Sequence, residues 1–279
     1  MKPLTRESIL PHLQTQWLGR ELHCFEVLDS TNLTAREMAA AGAADGAVVI
    51  ADAQRRGRGR LGREWVSPAR KNLYVSIVLR CDLPPERLAQ ISLLAGVATC
   101  ETLRDWAPAA VIKWPNDVLL GGRKAAGILA EMEQSGGQRA VVLGIGVNLN
   151  SGAGDFPDEL RDKATSVRLT TGAEVDRARF AGALLTRLEA RYEQWRDQGF
   201  APIAAAWRQL APLVGRRIHV AEPSGAVEGE VLALDDDGAL RIRRDDGSEH
   251  RVIAGDVTVV GGYDEKDPGN KTQDSGESP

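Results

Sequence analysis

The sequence is poor in residues that build covalent or metal frameworks. Its 279 positions hold three cysteines, Cys24, Cys81 and Cys100, an odd number with no C-x-x-C spacing. Neither a structural zinc site nor a disulfide framework is expected from them. Of the four histidines, His12, His219 and His250 lie away from any cysteine, and His23 beside Cys24 makes no ligand pattern, so no metal site is expected. Long apolar runs are missing too: stretches such as Ala47–Ala51 fall far short of the roughly 20 residues that span a bilayer. The N-terminus, MKPLTRESILPHLQ, lacks the apolar core of a signal peptide. These absences predict a cytoplasmic protein with no membrane partner. No internal repeat is visible.

Excess positive charge is also missing. The formal net charge is −4, which argues against general nucleic-acid binding, since that leaves a basic footprint over a whole face. Against this background "RRGRGRLGR" stands out: residues 55–63 hold five arginines and three glycines. A local cationic cluster in an acidic chain suits a site for one small anion.

Hydrophobic content of 43% supports a real core. Residues 29–43 read as a helix, with capping types at Asp29, Ser30 and Thr31. Short β-branched runs at 47–53 and 73–79 read as buried strands. Residues 86–106 place Leu88, Ile91, Ala95 and Ala98 on one helical stripe. A strand is expected at 110–114 and another over 141–150, while 124–133 fits strand or helix. Residues 177–198 form a long amphipathic pattern behind Asp176, a good cap. Past about residue 212 the chain turns to short alternating segments with Asp-Gly turns at 237–238 and 246–247, the pattern of a small β-barrel. The last seventeen residues, almost without apolar side chains, are expected to be disordered.

Gly57, Gly59 and Gly62 spell G-x-G-x-x-G after a strand. As a dinucleotide turn this needs a helix opening at the third glycine, and Pro68 followed by a strand leaves no room for one. A nucleic-acid-binding arginine segment and a solvated charged loop remain possible for residues 55–63 alone. Other elements point to a site. "KWPND" (113–117) brings a cation, an amide and a carboxylate to a strand end. Lys124 lies three residues before Gly127, where backbones can approach closely, and "GIGVN" (144–148) adds Gly144, Gly146 and Asn148.

In this order, "DSTN" (29–32), "QxxGRGRxGRxW" (54–65), "KWPND" (113–117), "KxxGIL" (124–129) and "GIGVN" (144–148) resemble the biotin–protein ligase family. The match is dense from residue 29 to 150, and the rest is similar in layout to about residue 260. The resemblance implies an α+β fold: a mixed sheet flanked by helices, similar to class II aminoacyl-tRNA synthetases, and a small SH3-like C-terminal domain. The implied division is 1–211 catalytic, 212–262 SH3-like and 263–279 tail. It implies ATP-dependent transfer of biotin, through biotinoyl-5′-AMP, to one lysine of a biotin carboxyl carrier protein, with Mg2+ arriving on ATP. Only 28 residues precede Asp29, fewer than a winged helix needs, so the monofunctional type is expected. The nearest alternative is a lipoate–protein ligase of the same fold, and a remote one is a nucleic-acid-binding regulator. The sequence sets neither oligomeric state nor physiological carrier.

The resemblance also implies roles. Ser30, Thr31, Asn32 and Gln54 would bind biotin, with Gly57, Arg58, Gly59 and Gly127 close around it. Arg60 and Arg63 would hold the adenylate phosphate, with Trp65, Lys113, Asn116 and Asn148 on the nucleotide side. Lys124, Arg58, Arg60 and Lys113 would supply the charge for adenylation, touching biotin through Lys124 and Arg60. Asp117 would orient or deprotonate the incoming lysine. No dedicated metal cage is implied. Two anions must meet in such a reaction, so fixed cations and alignment are the catalysts required. A flexible, glycine-rich cationic lid would admit both and then shield a reactive anhydride from water.

Overall fold

Helices and strands are interspersed through the first 210 residues, following the apolar pattern of the sequence. The computed structural model describes residues 1–81, 83–135, 138–222, 225–253 and 255–260. The tail expected to be disordered, 263–279, lies outside these. A short helix, Arg6–Ile9 (α1), is capped by Thr5 and leads to Leu22–Leu28 (β1). Then come Thr31–Ala40 (α2), Val48–Gln54 (β2), Leu73–Leu79 (β3) and Leu88–Arg104 (α3). Val111–Lys113 (β4), Asp117–Leu120 (β5), Arg123–Ser135 (β6) and Gln138–Val147 (β7) complete the first sheet. Its order is β1-β2-β3-β7-β6-β5-β4, with β1 and β2 parallel and the other neighbours antiparallel.

Two layers cover this sheet. Val167–Thr171 (α4), Arg177–Gln198 (α5) and Ala201–Leu210 (α6) follow it. Asp176 caps α5 by accepting from Ala178 N and Arg179 N, as its position predicts. Such a cap contributes about 0.5–2 kcal/mol. Leu184, Leu185 and Leu188 of α5 share one core with Ile91 and Leu94 of α3 and with Ile50 and Ile77 of the sheet. The opposite face carries α2, whose Ala35 and Ala39 meet Val49, Val78 and Val142. Strands buried on both faces read as continuous apolar runs, which is why β3 is buried throughout.

The stretch 124–133 is strand: β6 pairs with β7 along its length, from Ala126↔Val147 to Ser135↔Gln138. Composition alone left it open because its fate depends on a partner further along the chain.

The N-terminal residues belong to this unit. Arg177, 4% exposed, donates to Asp52 Oδ1 (2.8 Å) and to the Lys2 carbonyl (2.5 Å). Leu4 N donates to the same Asp52 oxygen.

A second sheet is built from Arg217–Glu222 (β8), Gly225–Leu234 (β9), Leu240–Arg243 (β10), Glu249–Val252 (β11) and Asp256–Val259 (β12). β8 to β11 run as an antiparallel meander and β12 returns to pair with β8. Gly238 and Gly247 take φ of +91° and +81° in the two Asp-Gly turns, where a side chain would be strained.

Candidate functional site: two cavities with a common wall

The arginine–glycine segment is a hairpin. Gly59 N donates to Arg63 O, Trp65 N to Gly57 O and Gln54 N to Ser67 O. The segment contains one three-residue 3-10 turn, Arg60–Gly62, with Leu61 at φ +57° and 75% exposed at the tip. No dinucleotide-type helix follows. At the base, Gly57 leaves no room for a side chain, since a Cβ would meet Trp65 O at 2.2 Å and Ser67 Oγ at 2.7 Å.

An inner cavity lies between this hairpin and the α2 face of the sheet. One end is polar and sits at the start of α2, with Ser30, Thr31, Asn32 and Gln54 on its wall. Ser30 takes the N-cap position, yet its hydroxyl makes no capping bond. Gln54 Oε1 accepts from Thr31 N (2.8 Å) and Thr31 Oγ1 (3.1 Å), and Gln54 Nε2 donates to Ser67 Oγ (2.9 Å). Ser76 Oγ donates between Asn32 Oδ1 (2.6 Å) and Thr31 Oγ1 (2.8 Å). Glu131 accepts from Asn32 Nδ2 and from Arg58, each at 2.9 Å, and so joins pocket to hairpin.

The floor is a row across four strands: Tyr74↔Gly146↔Gly127↔Asp117. Two side-chain-free positions next to each other make room for the Trp65 indole. A Cβ on Gly146 would meet Trp65 Cε2 at 2.5 Å, and one on Gly127 would meet Trp65 Cζ3 at 2.9 Å. Gly144 does the same for Asn32, whose Oδ1 would lie 2.0 Å from a Cβ. Trp65 Nε1 is buried without a hydrogen-bond partner. An unmet donor costs about 1–3 kcal/mol, so an acceptor arriving here has a ready gain.

A larger outer cleft lies beyond Trp65. Arg63, Lys113, Asp117 and Asn148 line it from the first sheet's side, and Asp256 to Val259 line it from β12. Gly59, Arg60, Trp65, Asn116 and Lys124 border both spaces. Lys124 Nζ stands 5.3 Å from the Trp65 ring centroid and 2.6 Å from Asp117 Oδ1. That close approach is an ion pair whose angle falls outside hydrogen-bond geometry. Arg60 donates to Asn116 Oδ1 (2.9 Å), and Asn116 Nδ2 donates to Ile128 O (2.9 Å). Arg63 reaches across and pairs with Asp256.

The charges bear on one another. Burial pulls the Arg60 guanidinium below its ordinary pKa, against the opposing pull of Asp256 and Asp117. Asp256 is pushed up by burial, but the Arg63 hydrogen bond and the charges of Arg63, Lys113 and Arg60 outweigh this and hold it low. Among the described residues no group of three acid, histidine or cysteine side chains is arranged to hold a metal ion, and no helix is long and apolar enough to cross a membrane.

Residues 24–148 match the Biotin/lipoate A/B protein ligase family, and residues 213–260 match the Biotin protein ligase C terminal domain. A biotin–[acetyl-CoA-carboxylase] ligase of Mycobacterium tuberculosis is 39% identical over 91% of this chain and 95% of its own. The chain belongs to the biotin protein ligase family. The bifunctional ligase/repressor BirA of Bacillus subtilis is 37% identical, over 92% of this chain and 79% of that protein. Among solved structures, the biotin protein ligase from Aquifex aeolicus in complex with biotin and ATP superposes with a TM-score of 0.75 at 26% identity, covering 86% of this chain and 99% of that one. The mixed α+β architecture with a small C-terminal antiparallel sheet is therefore that of a biotin protein ligase.

Every biotin protein ligase motif found in the sequence reaches one of the two cavities or the hairpin that roofs them. Among the residues given a binding or catalytic role, Gly57 is the exception: it packs at the hairpin base and borders neither cavity. Tyr74, Ser76, Glu131 and Asp256 went unnoticed in the sequence. A glycine pair in strand register hints at Tyr74 and Ser76 beside it. Nothing local signals Glu131 or Asp256, which matter through partners at least 73 positions away.

Proposed function

We propose that this chain joins biotin to a lysine of a biotin carboxyl carrier protein through biotinoyl-5′-AMP. The observation that carries the reading is the common wall: Arg60, Trp65, Asn116 and Lys124 border both cavities. Biotin fits the inner cavity with its ureido group toward Ser30, Thr31, Asn32 and Gln54. Its carboxylate then points at Lys124 and Arg60, with Arg58, Gly59 and Gly127 around it, while Gly57 serves biotin indirectly, by letting the hairpin base close. ATP fits the outer cleft, where Arg60, Arg63, Trp65, Lys113, Asn116 and Asn148 surround its phosphates and adenosine. A carboxylate oxygen attacks the α-phosphorus, the bond to the β-phosphate oxygen breaks, and pyrophosphate leaves. The cations of the wall offset the repulsion of two anions as they converge.

Magnesium enters as part of the ATP substrate, held chiefly by phosphate oxygens and water. Such an ion needs only one or two protein carboxylates, and Asp117 and Asp256 line the cleft. In the second step the carrier's lysine amine attacks the acyl carbon and AMP departs. In this reading Asp117 orients that amine or takes its proton. Residues 1–211 carry both chemical steps in this reading, and 212–262, SH3-like, complete the cleft. The proposed setting is the cytoplasm, without nucleic acid or membrane as partner.

The test is mass spectrometry of a biotin carboxyl carrier domain after incubation with protein, ATP, magnesium and biotin. A mass gain of one biotin is expected at one lysine; an unmodified carrier overturns the reading. Lipoate in place of biotin in pyrophosphate exchange separates the sister activity, and fluorescence anisotropy with duplex DNA tests for a regulator.

A further inference from the structure

The two walls of the outer cleft come from two different sheets, so something must fix one wall against the other. A plug does so. The β9–β10 turn enters a socket on the first sheet's helical side. Trp114 Nε1 donates to Gly238 O at 3.0 Å. Gln90 Nε2 donates to Asp236 O at 2.7 Å, and Gln90 Oε1 accepts from Trp195 Nε1 at 3.0 Å. Gly238 sits so close that a Cβ would meet Leu93 Cδ1 at 2.7 Å.

Trp114 is 1% exposed and borders neither cavity, so it is no ligand. Yet it lies next to Lys113 and two residues before Asn116, both on the first wall. The turn it grips continues into β9, which pairs with β8, which pairs with β12, the second wall. Strand ladders transmit position with little slack, so the Trp114–Gly238 bond registers Asp256–Val259 against Lys113–Asp117.

We propose that Trp114 is a positioning residue for the nucleotide: its indole N–H sets the width of the ATP cleft, with Gln90 as the second anchor of the same plug. This rests on reading the outer cleft as the ATP site. It separates one aromatic of "KWPND" from the substrate-facing residues around it. It also predicts a selective effect, because the inner cavity is bordered by α2, β2, β3, β6, β7 and the hairpin, none of which the plug touches, and the 113–117 segment reaches it only through Asn116.

The test uses the full chain with Trp114→Phe, which keeps the ring and deletes the donor, and Gln90→Met, which keeps length and deletes the amide. ATP affinity is read by calorimetry with ATP alone and as the ATP KM for pyrophosphate release. Biotin affinity is read by calorimetry without nucleotide. Loss of one buried hydrogen bond is expected to weaken ATP about 5- to 20-fold in each variant, with biotin affinity within about 2-fold of wild type. Unchanged ATP affinity in a folded variant overturns the proposal. So does equal weakening of both substrates, which signals general loosening. If Trp114→Phe fails to fold, Gln90→Met carries the test. A wild-type protein that binds ATP but adenylates another acid overturns the biotin reading instead, and the ATP affinities still decide the role of Trp114.

Discussion

Gly127 and Gly146 face each other across β6 and β7, and the Trp65 indole lies on both. The wall between the two cavities therefore has its seat in two missing side chains. Gly146→Ala adds one methyl group at a place already occupied by a ring. The strand backbone accepts alanine readily, and glycine in a strand costs roughly 0.5–1 kcal/mol relative to it. Thermal stability is expected to hold or rise slightly while adenylation falls at least about 10-fold, since misplacing a reacting pair by an ångström can cost about 10²-fold. Melting curves and pyrophosphate release check this; full activity would show that Trp65 has room to spare.

Lys124→Met keeps most of the stem and removes the charge. If Lys124 stabilises the adenylation transition state, the rate should drop on the order of 10²–10³, as for the loss of one well-placed oxyanion donor. Transfer from supplied biotinoyl-AMP should suffer less. Single-turnover kinetics of each step separates the two, and an unaltered first step would return Lys124 to an ordinary half-buried lysine.

Arg60→Gly removes a desolvated cation from the common wall and the donor to Asn116. Lys113 and Lys124 still offset the reactants' charge, so retention of the adenylate should suffer more than its formation. Charge-assisted bonds to phosphate are stronger than neutral ones, and without this one the intermediate should escape and acylate exposed amines. Labelling of an unrelated lysine-rich protein is expected to rise above the wild-type level in a biotin blot. A bystander that stays unlabelled while the carrier is modified excludes a retention role.

Asp256 is held below the ordinary carboxylate range, so its pairing with Arg63 has a defined pH dependence. A lowered folded-state pKa means the contribution is present above the unfolded value, about 3.9, and is lost as pH falls through the folded value beneath it. Both side chains are well exposed, 64% for Arg63 and 42% for Asp256, so the contribution is small. In hydrogen exchange, amides of the hairpin should be better protected in wild type than in Asp256→Asn at pH 7. That gap should close only below about pH 4. Equal protection at neutral pH would mean the pair does not hold the hairpin.

Much of this was readable in advance because it is local. Period placed α3 to within two residues at each end, period with the Asp176 cap placed α5 to the residue, and β3 announced itself by β-branched composition. The motifs named the loops that meet at the site, since each carries residues unusual for its position. What escaped was pairing over distance. The strand state of 124–133 depends on β7, the Trp65 seat on the register of Gly127 against Gly146, and the second wall of the cleft on a sheet a hundred residues further on. Glu131 looks in sequence like any solvent-facing acid on a strand. Only the folded chain brings Asn32 and Arg58 to its two oxygens.

The buried pair of Asp52 and Arg177 has a practical consequence for anyone altering the ends of this protein. Besides Asn72 O, which accepts from Arg177, its hydrogen-bond partners are Lys2 O and Leu4 N. Trimming the first few residues would leave a guanidinium and a carboxylate sealed in the interior with fewer hydrogen bonds, and each buried polar group left unmet costs about 1–3 kcal/mol. Alterations near this end should therefore leave residues 2–4 in place, because they act as a bolt through the sheet rather than as loose thread.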